Sequence, residues 1–346
     1  MQNIEIIMLY CLKQLNGERT IYSIYHLLNG KKSSQTIQDA HLFSLKNYFR
    51  ILEPLTRDSF DIVFKRLLDK NWVEPIGDQI YRLSSSGLVN LQKFPPPKYI
   101  NGWKYHHIST VVWERLSLLT QVTSNLTFQE TRYIPIQKNK EVHRWLKRVL
   151  KEYPLPREAW GNTLFTELVD CFNEEKDINP SVLVFRLTGY QQIGLTSLQS
   201  SKKLAMDPIN YHLEFLNILH FIIHMIESDT GRYKLLSTLL ADLMEHSILT
   251  LSARKTWELL NQGFTIEQIS ANRNLKNSTI EDHLVEFALN IKEFSIDPYV
   301  EKDIQEKVMQ ISRQGATRQL KLIRNKLPTA SYFKIRLVLA KNGDQS

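Results

Sequence analysis

A chain of 346 residues is longer than one hydrophobic core usually fills, so two or three domains are expected. Its composition, 42% apolar and 23% charged, excludes a disordered chain, and 12 glycines leave little room for long flexible linkers or a glycine-rich nucleotide loop. The net charge of +8 is local: from Lys307 to Lys341 there are nine Lys or Arg and no Asp or Glu, only Asp344 follows, and residues 1–306 are neutral in sum.

In chain order, Met1 to Leu12 is apolar but contains Glu5 and lacks a basic leader, which argues against a signal peptide. Asp58-Ser59-Phe60 opens a predicted helix whose apolar residues, Phe60, Val63, Phe64, Leu67 and Leu68, recur at helical spacing. Trp72 to Leu83 then reads as strand, turn at Gly77-Asp78, strand. Helices followed by a hairpin outline a winged-helix domain over residues 1–94, with a generic α+β cap as the alternative. Pro95-Pro96-Pro97 closes that segment, because three prolines continue neither a helix nor a central strand.

Residues 98–250 read as a helical middle domain, broken at Tyr153-Pro154-Leu155-Pro156 by a rigid connector or a proline-rich ligand. Thr196 with Gln199, and Asp207 with Pro208, predict a short and a longer helix, either a second helix-turn-helix or plain bundle helices. The apolar stretch Leu213 to Ile226 carries Glu214, Asn217, His220 and His224, which predicts a buried helix and no membrane span. His212, His220 and His224 share a helix face, but their apolar surroundings predict core histidines, and His106-His107 has no partner set. Cys11 and Cys171 predict buried free thiols in a reducing cytoplasm. No Gly-x-x-x-x-Gly-Lys-Ser/Thr loop, Ser-His-Asp, Cys-His or paired-carboxylate pattern is present, so neither an enzyme nor a cofactor is expected.

The C-terminal third, residues 251–346, predicts a trihelical helix-turn-helix domain with a basic tail. Ser252 starts a helix with Trp257, Leu259 and Leu260 inward, and Gly263 ends it. Thr265 and Gln268 form a capping box for a short helix carrying Ile266, Ile269 and Ala271. After the polar turn Asn272 to Lys276, Ser278 and Glu281 form another box, opening a helix with Ile280, Leu284, Phe287 and Ala288 inward. The fold class expected is therefore mainly α and multi-domain, with an N-terminal winged helix and a C-terminal helix-turn-helix.

Thr256-Trp257-Glu258-Leu259-Leu260, Gly263 to Ile269, Arg273-Asn274-Leu275 and Ser278 to Leu284 resemble the helix-turn-helix at the C-terminal end of many bacterial RecQ-type DNA helicases. The resemblance runs on through Leu320 to Arg324, Leu327-Pro328 and Ser331 to Ala340, covering roughly Ser252 to Ala340. As a whole the chain is similar to the YpbB-like proteins of Gram-positive bacteria. That resemblance implies a stand-alone partner of a RecQ-type helicase in DNA recombination or repair. It fixes no oligomeric state.

A helix-turn-helix reads DNA with the start of its last helix. Here that helix carries Glu281, Asp282 and Glu286, with Glu293 beyond, and acids pressed toward phosphates are unfavourable. Arg273, Lys276, Asn277 and Thr279 remain as phosphate contacts. In the tail, Arg313, Arg318, Lys321, Arg324, Lys326, Lys334 and Arg336 surround apolar Leu320, Ile323, Leu327, Ile335, Val338 and Leu339. The apolar set would pack the helices and leave the bases to track phosphates, to meet an acidic partner or simply to be solvated. The expected activity is nonenzymatic: DNA held mainly without sequence preference, beside a helicase. A transcriptional regulator with its own operator and a pure protein scaffold are the alternatives.

Overall fold

In the computed structural model the N-terminal segment contains helices α1 (Asn3–Leu15), α2 (Tyr22–Leu28), α3 (Ser34–Leu42) and α4 (Arg57–Asp69), strands β1 (Val73–Gly77) and β2 (Ile80–Leu83), and α5 (Ser85–Lys93). The middle contains α6 (Gly102–Tyr105), α7 (Ser109–Thr127), α8 (Lys140–Glu152), α9 (Trp160–Asn173), α10 (Ser181–Val184), α11 (Ser197–Lys203), α12 (Pro208–Ser228) and α13 (Lys234–Ser237). The last third contains α14 (Leu251–Asn261), α15 (Ile266–Arg273), α16 (Asn277–Asn290), α17 (Lys302–Gln314), α18 (Leu320–Lys326) and α19 (Tyr332–Asn342). Residues 2–243, 249–314 and 318–342 are described; Met1, 244–248, 315–317 and 343–346, Asp344 among them, lie outside the described residues. The fold is mainly α, and the antiparallel pair β1–β2 is the one sheet among the described residues.

Backbone packing divides the chain into two compact units, Met1–Ile6 with Phe94–Glu245 and Ile7–Lys93 with His246–Ser346. Apart from Met1–Ile6 and Phe94, the segments read as winged helix and helix-turn-helix therefore fall in the same unit, and the second boundary lies just before the triple proline.

In the Ile7–Lys93, His246–Ser346 unit, α4 starts one residue before the predicted Asp58, because the Thr56 side chain accepts from the Ser59 N–H at 3.2 Å. Phe60, Val63, Phe64 and Leu67 are buried as the spacing requires. The helix runs directly into the hairpin, whose turn residues are Asp78 and Gln79, one step later than read, with Gln79 left-handed at φ 56°. Pro75 is tolerated in β1 because the pair has a register irregularity between Pro75 and Gly77. Gly87 of α5 lies against the backbone of Trp72, just before β1: a Cβ there would stand 2.1 Å from the Trp72 carbonyl oxygen.

The other unit is a helical bundle with Val112, Leu116 and Leu119 of α7, Trp145 of α8, Trp160 of α9 and Phe221 and Ile222 of α12 in one core. The predicted caps of α11, a full Thr196–Gln199 box, and of α12, Asp207 with Pro208 at its start, are both present. Buried residues run along α12 from Tyr211 to Ile226, as for a central bundle helix. His220 is fully buried; its Nδ1 accepts from the Asn101 N–H at 3.0 Å, so Nε2 carries the proton and donates to Ser109 Oγ at 2.9 Å. Burial lowers its pKa to about 3, and the ring is neutral. Cys11 and Cys171 are free and buried, and burial raises both thiols. Among the described residues no helix is long and apolar enough to cross a membrane, and no three His, Cys, Asp or Glu residues are grouped to hold a metal ion.

Candidate nucleic-acid interface

Thr250 caps α14 by accepting from the Ala253 N–H, so this helix begins at Leu251 rather than Ser252. Its buried residues are Ala253 and Thr256, while Trp257, Leu259 and Leu260 are only half-buried. Gly263 ends the turn beyond it with φ 87°, a conformation that costs glycine nothing. The Thr265–Gln268 capping box is present and starts α15, which buries Ile269 but leaves Ala271 exposed. The second predicted box is not formed. Asn274 adopts the left-handed conformation, φ 49°, and the Leu275 N–H returns to the Ser270 carbonyl at 3.0 Å. That tight reversal starts α16 at Asn277 with Lys276 as its cap residue, which leaves Ser278 inside the first turn.

The nominal recognition helix, α16, is enclosed over its second half. It packs against α14, α15, α19 and α3, and every residue from His283 to Ala288 is buried. A helix that enters a major groove must present an open face. Here only the first turn, Asn277 and Ser278, is exposed, with Thr279 half-buried.

The acids of α16 are not presented to solvent as a charged face. Glu286 is 5% exposed and accepts from Thr250 through both its N–H, at 2.5 Å, and its hydroxyl, at 3.1 Å, beside the start of α14. Burial raises its pKa. Asp282 is ion-paired to Arg336 at 2.7 Å. Burial also raises the carboxyl of half-buried Glu281, against a lowering pull from Arg336. The repulsion between this helix and phosphates that bare charge counting suggests is therefore largely spent on internal partners.

The same holds for several expected DNA contacts. Arg273 donates to the Ser252 carbonyl at 2.7 Å and to Thr256 Oγ1, tying α15 to α14. Thr256 accepts that bond, so its own hydroxyl donates to His283 Nδ1 at 2.8 Å; burial first, then Arg273, lowers the His283 pKa to about 4. Lys334 is bidentate to Glu301, at 2.6 and 2.9 Å. Arg336 reaches Gln38 Oε1 at 3.1 Å and Ser34 Oγ at 2.8 Å as well as Asp282, joining α19 to α3 and α16. Arg318 donates its backbone N–H to Glu18 and lies near the Phe43 ring.

What remains is a smaller set on the closing helices. Arg313 on α17 and Lys321, Arg324 and Lys326 on α18 are exposed, and none has a carboxylate partner among the described residues. Packing of α17 on α18 and α19, and of α18 on α19, brings these helices into one group. Arg324 lies 4.3 Å from the centre of the Tyr332 ring, and Tyr332 and Leu322 are exposed beside it. Tyr332 escapes a reading based on charge; its signal is an aromatic residue interleaved with bases. Lys276 and Asn277 are exposed at the helix-turn-helix turn. In the N-terminal segment, by contrast, α4 exposes Arg57, Asp58, Lys65 and Asp69 together, and the hairpin pairs Glu74 with Arg82 at 2.6 Å, so neither is a cationic face.

A helix-turn-helix domain family matches residues 252–339. Over 347 residues the chain is 34% identical to Protein YpbB of Bacillus subtilis (strain 168), which spans 99% of this chain and 98% of that protein. The chain belongs to the YpbB family. No solved structure matches it. In this YpbB-family chain the matched domain includes α16 and α17 to α19, so the enclosed recognition helix and the exposed basic group are parts of the same helix-turn-helix module.

Proposed function

We propose that this YpbB-family chain is a nonenzymatic, cytoplasmic DNA-binding accessory protein that holds nucleic acid mainly by its phosphates and works beside a RecQ-type helicase in recombination or repair. The observation that carries the DNA reading is the pairing of a closed α16 with open Arg313, Lys321, Arg324 and Lys326 in one helix-turn-helix domain. Phosphate contacts need charge and reach, not groove entry, and they position a protein without reading sequence. Lys276, Asn277 and Thr279 would add contacts at the first turn of α16. The helicase reading rests on the resemblance of Ser252 to Ala340 to the module that RecQ-type helicases carry within their own chains. An operator-specific regulator is less well supported, because its reading helix would have to be exposed.

The test is charge reversal, Lys321→Glu with Arg324→Glu, in the full chain, followed by a salt titration of binding to mixed-sequence duplex and single-stranded DNA. The expected result is weaker binding to both, a slope of log affinity against log salt shallower by about 2 for duplex, and an unchanged melting curve. Unchanged binding and slope would overturn the assignment to α18. Co-purification of a helicase from native lysate tests the partner, and its failure with DNA binding intact would reduce the reading to DNA binding alone.

A further inference from the structure

A second cationic surface lies in the other unit, on α8. Its apolar residues Val142, Trp145, Leu146 and Val149 are all buried in the bundle core. On the opposite side stand Lys140, Arg144, Lys147 and Lys151, all exposed. At about 100° per residue these four fall within roughly 60° of arc, centred opposite the buried set, and the stripe is about 16 Å long. Lys140, Lys147 and Lys151 have no carboxylate partner among the described residues. Arg144 pairs with Glu141 in an exposed contact one turn apart, which a phosphate can displace at little cost, whereas Arg148, just off the stripe, is held by Asp242 at 3.2 Å. Exposed Arg132, Lys138 and Arg157 flank the helix.

Helix stability does not account for this arrangement. Like charges one turn apart destabilise a helix, and an ordinary solvated face alternates signs to gain from such pairs. Lys140 also sits at the helix start, where the backbone dipole disfavours a cation. A protein interface would want an aromatic or apolar anchor in the stripe, and there is none between Lys140 and Lys151 on that side. A membrane-surface helix would need its apolar face free, and that face is buried. A nucleic-acid backbone asks only for regularly spaced cations.

We propose that the exposed face of α8 is a second phosphate-tracking surface, which binds the backbone of nucleic acid without reading bases. It extends the DNA-binding reading given above and rests on it, but it involves different residues in a different unit. The experiment compares the full chain with the triple variant Lys140→Glu, Lys147→Glu, Lys151→Glu, on mixed-sequence duplex and single-stranded DNA across a salt series. The expected result is at least a tenfold loss of affinity at low salt, with a log–log salt slope reduced by about 3 for duplex.

Affinity and slope equal to the parent's, in a variant that melts like the parent, would overturn the proposal. If the α8 variant binds normally while the Lys321, Arg324 variant does not, only the α8 surface falls. If the reverse holds, only the α18 assignment falls. A parent chain that binds no DNA at low salt overturns both, and retained capture of an acidic protein would then assign the stripe to a protein partner. Should the triple variant fail to fold, acetylation of the unaltered chain decides: DNA must protect Lys140, Lys147 and Lys151, and equal labelling with and without DNA refutes the surface.

Discussion

Arg336 separates a structural tail base from a DNA-binding one. Its side chain is 16% exposed, and its guanidinium meets Asp282, Gln38 and Ser34 on two other helices. Arg336→Met keeps much of the aliphatic stem and removes all three contacts. The Asp282 carboxylate is 37% exposed, so that ion pair contributes about 0.5–1 kcal/mol after solvent screening, and the two charge-assisted bonds to neutral groups add about 1 kcal/mol each. A total loss of about 2–3 kcal/mol lowers the Tm of a unit of this size by roughly 5–10 °C. Urea and thermal melts followed by circular dichroism measure it, and a double-mutant cycle with Asp282→Asn isolates the pair. The salt slope of DNA binding should not change. A variant that melts like the parent but binds DNA with a shallower slope would refute the reasoning and make Arg336 a phosphate contact.

His220 ties stability to pH. Its folded pKa, lowered from 6.5 to about 3, means that the unfolded chain takes up a proton the native ring refuses. Its contribution is therefore complete above about pH 6.5 and is lost as the pH falls from there toward 3, by roughly 4–5 kcal/mol in all. His220→Gln should flatten the stability curve in that window, and an unflattened curve would exclude the histidine as its source. Gly87→Ala should cost about 3 kcal/mol, because the new methyl meets the Trp72 carbonyl oxygen rather than a movable side chain; a urea midpoint equal to the parent's would show that α5 can shift away.

The local grammar of the fold was legible where one residue decides the outcome. Thr265 with Gln268, Thr196 with Gln199, Asp207 with Pro208 and Gly263 all act as their chemistry predicts. Ser278 failed because the reversal at Asn274, closed by Leu275 onto Ser270, sets the start of α16 before the serine is reached. The candidate interface was less legible, because charge in a sequence has a sign but no direction. Glu286 looked like an obstacle to DNA and is instead the acceptor for Thr250. Lys334 and Arg336 looked free, yet their partners, Glu301 on one side and Ser34, Gln38 and Asp282 on the other, are brought near only by the fold. The α8 stripe was hidden by summation: residues 1–306 cancel as a whole, although Lys140, Arg144, Lys147 and Lys151 share one side of a single helix.

The mutual packing of α3, α16 and α19 also has a temporal side. About 290 residues separate Leu42 from Tyr332, so at ribosomal speed α3 waits roughly 15–60 s for α19, which packs on both it and α16. During that interval the Phe94–Glu245 stretch is synthesised in full and can fold, while the buried residues of α3 still lack their distant partners. The late-made α19 is thus a closing clasp, and a chain released before Arg336 would carry an open seam for chaperones and proteases to find.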